Sequence, residues 1–159
     1  MVALKSLLFT ILGLGTVAGI VPWLLLQSSG EAARLTPSIW MIGLLPLLLG
    51  MGLYFWCVGV FTFIGKGMLA PMDAPIFLIK EGPYQWVRNP MYIAVLSTIL
   101  GEAILFHSLL LVGYALLLVV VIHLFVVFVE EPSLRRQFGE SYETYLHTVP
   151  RWLPRSPRA

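Results

Sequence analysis

The chain has 159 residues, 58% of them hydrophobic and only 11% charged, with a mean hydropathy of +0.89. A soluble domain carries about 25% charged residues, so this composition excludes a soluble globular fold and makes lipid the solvent for much of the surface. A formal net charge of +2 is too small to point to nucleic acid, and a single cysteine, Cys57, excludes an intrachain disulfide.

Lys5 followed by an apolar run has the start of a signal peptide. No small-residue cleavage site follows, and "VPWLLLQ" continues the run, so the segment reads as a retained membrane helix. Ser6 to Gly30 is free of charge and predicts helix 1 over residues 6 to 27, kinked at Pro22. The polar turn "SSGEAARLTPS" precedes helix 2 at 38 to 64, where Trp40 sits as an interfacial anchor would. In helix 2, Gly50 and Gly52 ("GMG") allow close helix packing, and Cys57 reads as a small packing residue.

Residues 66 to 90 gather Lys66, Asp73, Lys80, Glu81 and Arg88 among four prolines, a structured loop at the membrane surface. Two further apolar runs predict helix 3 at 91 to 105 and helix 4 at 108 to 129, with a tip near "FHS". Fifteen residues reach only about 22 Å, so helix 3 is expected to stop short of the far face. Glu102 and His107, near the tip, read as solvated caps. A polar tail follows, with a helix at 132 to 147 before Pro150, Pro154 and Pro157 end regular structure. "VPRWLPRSPRA" reads as a tail lying on the membrane surface.

The expected fold class is all-α: an integral membrane helical bundle of four transmembrane helices with a cytoplasmic C-terminal helix, in one domain over 1–159. Residues 1–65 hold two transmembrane helices, and 66–159 hold the loop, the hairpin and the tail. With four spans, Lys5, Lys66, Lys80, Arg88, Arg135, Arg136, Arg151, Arg155 and Arg158 share one side, and only Arg34 lies on the other. That bias makes the polar side, with both termini, cytoplasmic.

The hairpin of helices 3 and 4 has two polar feet. In "EGPYQWVRNPMY", Pro90 suits a first helical position and Asn89 a helix cap, which holds Arg88 at a helix start. In "VEEPSLRRQFGESYETY", Glu130 and Glu131 end helix 4, where the dipole disfavours carboxylates, and Arg88 is the expected counter-charge. Spacing leaves two readings open: a structural ion pair, or a polar cofactor pocket facing the cytoplasm with its back wall in the bilayer. His123 lies seven residues before Glu130, on about the same helical face and roughly 10 Å deeper. An ionisable residue at that depth reads either as a hydrogen-bonded bundle histidine or as lining for an acceptor tunnel.

Both feet resemble the isoprenylcysteine carboxyl methyltransferase and phospholipid methyltransferase superfamily. Gly82, Tyr84, Arg88, Pro90 and Tyr92, then Glu130, Glu131, Phe138, Gly139, Tyr142, Tyr145, Val149 and Pro150, fall in register with its pattern. The carboxyl methyltransferases carry His where Asn89 stands. "NPMY" and "EEP" look more like the phosphatidylethanolamine N-methyltransferase branch, and "FGESYETYLHTVP" more like the carboxyl branch.

The resemblance implies an S-adenosylmethionine-dependent methyltransferase acting on a lipophilic acceptor, an isoprenylcysteine-type carboxylate or alternatively a phospholipid amine. A less favoured alternative is an NADPH-dependent isoprenoid or sterol reductase of similar fold. The implied catalytic residues are Arg88, Glu130 and Glu131. The implied cofactor-binding residues are Tyr84, Arg88, Asn89, Pro90, Tyr92, Glu130, Glu131 and Tyr142, with no metal. Partners are the lipophilic acceptor and membrane lipids, with no nucleic acid.

Overall fold

The computed structural model describes residues 13–30, 40–63 and 78–156. The expected starts of helices 1 and 2, loop residues 66–77 and the last three residues lie outside these. Regular structure is helical, with no strand among the described residues.

Helix α1 (Gly13–Ser29) is apolar. The disturbance expected at Pro22 takes the form of a π-helical stretch, Thr16–Ile20, closed by a bond from Val21 N–H to the Thr16 carbonyl. A proline lacks the N–H and its ring crowds the carbonyl four residues back, and a wider turn makes room for it. Gly30, at φ +68, ends the helix in the left-handed conformation.

Helix α2 (Trp40–Phe63) packs antiparallel along α3 (Pro90–Leu105) on a glycine seam. A Cβ on Gly43 would stand 2.8 Å from the Gly101 carbonyl oxygen, and one on Gly50 would stand 2.6 Å from that of Ala94. Ser97 Oγ donates to the Pro46 carbonyl at 2.9 Å, tying α3 to α2 at its internal proline. Gly52 meets nothing within 4 Å, so of the expected pair only Gly50 serves packing.

Helix α4 (Leu109–Phe138) starts at Ser108, whose hydroxyl accepts the Leu111 N–H. It departs from expectation at its other end. Rather than stopping at 129, the chain passes through a π-helical stretch, Val126–Glu130, and stays helical through Pro132 to Phe138. As at Pro22, the wide turn comes just before the proline. The tail helix expected at 132 to 147 is therefore divided, and the break lies at Gly139, with φ +50, a conformation that favours glycine. Helix α5 (Glu140–Thr148) follows, and Arg135 Nε bonds Glu143 Oε1 at 2.9 Å across the corner.

Helices α2 and α4 are long and apolar enough to cross a membrane, whereas α1 and α3 are apolar but shorter. Only 22% and 11% of the most apolar stretches of α2 and α4 are buried inside the protein, and side chains such as Leu45, Phe55, Leu117 and Phe128 face outward. An all-round apolar helix with so little protein around it suits a lipid surrounding. At about 1.5 Å per residue α3 reaches roughly 24 Å, less than a hydrocarbon core of about 30 Å.

Near the hairpin tip, Leu26, Ala103 and Leu111 join α1, α3 and α4 in one apolar cluster. Glu102 is not the solvated cap expected there. Its Oε2 is sealed from water and has no partner among the described residues, while His107 is exposed at φ +50.

Candidate active site

The first foot is built on a 3-10 turn, Gly82–Gln85. Gly82 adopts φ +59 against α2, where an added Cβ would lie 3.0 Å from Val60 Cγ2. The turn buries Tyr84 in a cluster with Cys57, Val60 and Ile79. Burial holds the Tyr84 phenol well above its ordinary range, so it stays a neutral O–H. Its carbonyl accepts the Tyr145 phenol of α5 at 2.6 Å.

Asn89 occupies the position before α3 but makes no side-chain cap, contrary to expectation. Its amide nitrogen is drawn instead to the Arg151 carbonyl at 3.2 Å. Pro90 fills the first helical position and is buried. Arg88, just before, is held through its backbone, whose N–H bonds the Pro150 carbonyl at 2.9 Å.

The π-helical stretch of α4 delivers the second foot. Consecutive residues in a helix point about 100° apart, and the two glutamates diverge. Glu130 receives the Tyr92 phenol on Oε2 at 3.0 Å, while Glu131 turns to Arg88, whose Nη1 donates to Oε1 at 3.0 Å. The expected counter-charge is therefore in place. The reason given for it is not: α4 runs on past the pair, so the carboxylates sit within a helix and not at its negative end.

Glu131 is also held by Arg151, from the segment expected to lie as a tail on the membrane surface. Arg151 Nε donates to Oε1 at 2.7 Å and Nη2 to Oε2 at 3.0 Å, and Arg135 Nη2 stands 4.0 Å from Oε2. The Glu131 side chain is 5% exposed and that of Arg88 11%, so three arginines neutralise one buried carboxylate. Arg88 Nε is buried with no partner among the described residues.

Residues 149 to 156 are thus a strap folded back on the first foot. Besides Pro150 and Arg151, the Arg155 N–H bonds the Trp86 carbonyl at 3.0 Å. Trp152 Nε1 donates to His123 Nδ1 at 3.2 Å. His123 itself is exposed, whereas Glu130 is partly buried, and the π-helical stretch between them breaks the seven-residue register that would align them. Tyr142 is buried against Tyr145 under the site. Burial raises its phenol pKa, the Glu131 charge adds to the rise, and the Arg88 guanidinium opposes it through its charge and its hydrogen-bonding approach to the phenol.

The structure brings together Arg88, Asn89, Pro90, Tyr92, Glu130 and Glu131, with Tyr84 and Tyr142 buried beneath them. His123 stands apart on the strap's anchor. No group of His, Cys, Asp and Glu suited to a metal occurs among the described residues. The site combines a buried cation with an unspent donor, a phenol-bonded carboxylate and an apolar flank, an arrangement able to hold a small zwitterion beside lipid.

No curated protein and no solved structure matches this chain. Residues 39–141, well over half of it, match the family model described as phospholipid methyltransferase, and they take in the first foot and, in the second, Glu130 and Glu131. The chain belongs to the phospholipid methyltransferase family.

Proposed function

We propose that this membrane methyltransferase takes its methyl group from S-adenosylmethionine and delivers it to a lipid-soluble acceptor at the feet of the α3–α4 hairpin. The observation that carries this reading is the meeting of Arg88, Glu130, Glu131 and Tyr92, with one Arg88 donor buried and unpartnered. An unmet buried donor costs about 1–3 kcal/mol, which suits a place kept for a ligand oxygen.

The residues fit the cofactor's amino-acid end. Arg88 is matched to its carboxylate and Glu130 to its ammonium. Asn89 and Pro90 set the start of α3 against it, and Tyr84 and Tyr142 support the wall behind. When bound, the cofactor supplies an electrophilic methyl on a sulfonium. The residues of the chain align it, exclude water and balance charge. Arg88 and Glu130 would hold the cofactor with its methyl toward the lipid-side acceptor, where the displaced group would be the neutral thioether. A carboxylate acceptor needs no base. An amine must shed a proton, which a carboxylate of the glutamate pair beside it would take.

In this reading α1 and α3 complete a four-span bundle within a single domain, and the Lys and Arg bias puts the site and both termini on the cytoplasmic side. The tail motif favours an isoprenylcysteine-type carboxylate as acceptor. "NPMY" and "EEP" look more like the phospholipid amine branch, and the family match agrees with a lipid acceptor of either kind.

Transfer of label from methyl-labelled S-adenosylmethionine to extractable lipid or protein, in membranes carrying this chain, tests the reading. Alkali then separates the acceptors: a methyl ester releases labelled methanol, and a methylated amine keeps its label. Stabilisation on heating by NADPH and not by S-adenosylhomocysteine would overturn the methyltransferase reading in favour of a reductase.

A further inference from the structure

We infer that Arg151 is a positioning residue: it occupies the two-pronged face of Glu131 and thereby keeps the Arg88 Nε–H open to an anionic ligand oxygen. A carboxylate and a guanidinium pair best as two parallel bonds, and one carboxylate has one such face to give. Arg151 holds that face, with Nε at 2.7 Å from Oε1 and Nη2 at 3.0 Å from Oε2. Arg88 reaches Oε1 with Nη1 alone, at 3.0 Å, and its Nε is left buried and unpartnered. The two cations differ in burial, with side chains 11% exposed for Arg88 and 32% for Arg151. Without Arg151, Glu131 has every reason to close on Arg88, since an ion pair strengthens as water is removed. The donor would then be spent on the protein itself.

The strap fixes Arg151 for this task. The Arg151 carbonyl accepts the Asn89 amide, the Pro150 carbonyl accepts the Arg88 N–H, and the next side chain, Trp152, is tied to His123 on α4. Asn89 and Arg88 therefore set the strap's register, and the strap in turn sets Arg88. Arg151 lies ten residues past the end of the family match at residue 141. Identifying the ligand oxygen as the carboxylate of S-adenosylmethionine rests on the function proposed above. The competition between Arg151 and Arg88 for Glu131 does not.

The test uses the full chain in detergent, with S-adenosylhomocysteine as the binding probe and arginine Nε–H resonances as a second readout. Arg151→Lys keeps the charge and loses the fork. It is expected to weaken binding about tenfold, to raise KM for the cofactor while leaving kcat within about twofold, and to move the Arg88 Nε–H resonance as that group turns to Glu131. Trp152→Phe loosens the strap without touching the charges, and should shift the same readouts in the same direction even if Arg151→Lys fails to accumulate. An unmoved Arg88 resonance in the variant that folds, or a loss of kcat with cofactor affinity intact, overturns the inference. A wild-type chain that binds no S-adenosylhomocysteine would sink the functional reading alone; the resonance would then decide the inference.

Discussion

The Tyr92 phenol donates to Glu130 Oε2 at 3.0 Å, joining the first turn of α3 to the π-helical stretch of α4. This bond keeps the two carboxylates of the pair apart in role. Glu130 meets a neutral donor, and Glu131 meets arginines. Glu130→Gln retains shape and keeps an acceptor for Tyr92, so it should leave the unfolding midpoint within about 2 °C, a shift worth well under 1 kcal/mol. Methyl transfer should fall about a hundredfold through the lost charge. Radiometric transfer beside thermal unfolding checks both, and near-normal transfer would remove Glu130 from the site.

Glu131→Gln should behave in the opposite way. It leaves Arg88 and Arg151 facing each other across a buried site with no anion between them. Removing one member of a buried pair costs about 3–5 kcal/mol, so the variant should lose most of its folded protein as well as its affinity for S-adenosylhomocysteine. A well-folded Glu131→Gln that binds the probe normally would show that the three arginines do not depend on it.

Both feet of the hairpin were legible in the sequence because the residues that make them are short-range signals: Gly82-Pro83 for a turn, Asn89-Pro90 for a helix start, and paired acids after an apolar run. Arg88 as the counter-charge to the glutamate pair was legible from opposite charge, but which glutamate it meets was not. The continuity of α4 was not legible, since Pro132 reads as a stop, and only the π-helical turn before it lets the helix pass. Nor was Arg151. In "VPRWLPRSPRA" it is one of three arginines among prolines, and its role depends on the strap's own carbonyls meeting donors about sixty positions earlier, the Arg88 N–H and the Asn89 amide. The lone arginine directly after Val149-Pro150 was the one available hint. Asn89 was misread for the same reason, because its acceptor lies on that strap.

Tyr145 fastens α5 to the first foot through its 2.6 Å bond to the Tyr84 carbonyl. Tyr145→Phe strands that carbonyl and should cost about 1–3 kcal/mol, read as a lower unfolding midpoint. Burial raises the Tyr145 phenol pKa, with the Arg88 charge opposing and Tyr142 adding, and burial raises Tyr84 as well. A raised folded pKa means the stabilisation is complete below the unfolded value, about 10, and is lost as pH climbs above it. Stability should therefore be insensitive to these phenols at neutral pH and fall above about pH 10, less steeply in Tyr145→Phe. An unchanged alkaline slope in that variant would mean the phenol is not shielded.

The glycine seam offers a test that leaves the polar site alone. Gly50→Ala would force a methyl to 2.6 Å from the Ala94 carbonyl oxygen and from Thr98 Oγ1, so α2 and α3 must part. Overpacking of this kind costs about 1–3 kcal/mol. Gly52→Ala, two residues on, meets nothing within 4 Å and should be neutral or stabilising by up to about 1 kcal/mol through helix propensity. Equal unfolding midpoints for the two variants would contradict the close approach.

His123 is where a tunnel role and a strap role give different numbers. Its Nδ1 accepts the Trp152 indole at 3.2 Å, the bond that pins the strap to α4. A partly solvated hydrogen bond is worth about 0.5–1.5 kcal/mol. His123→Phe should accordingly weaken S-adenosylhomocysteine binding about threefold, as Trp152→Phe does, and the double variant should be no worse than either single one. Isothermal titration of the three variants decides between the roles. Unchanged cofactor affinity with turnover of the acceptor lost would place His123 on the acceptor's path instead, since a side chain that only anchors the strap acts on the acceptor through Arg151 and the cofactor site.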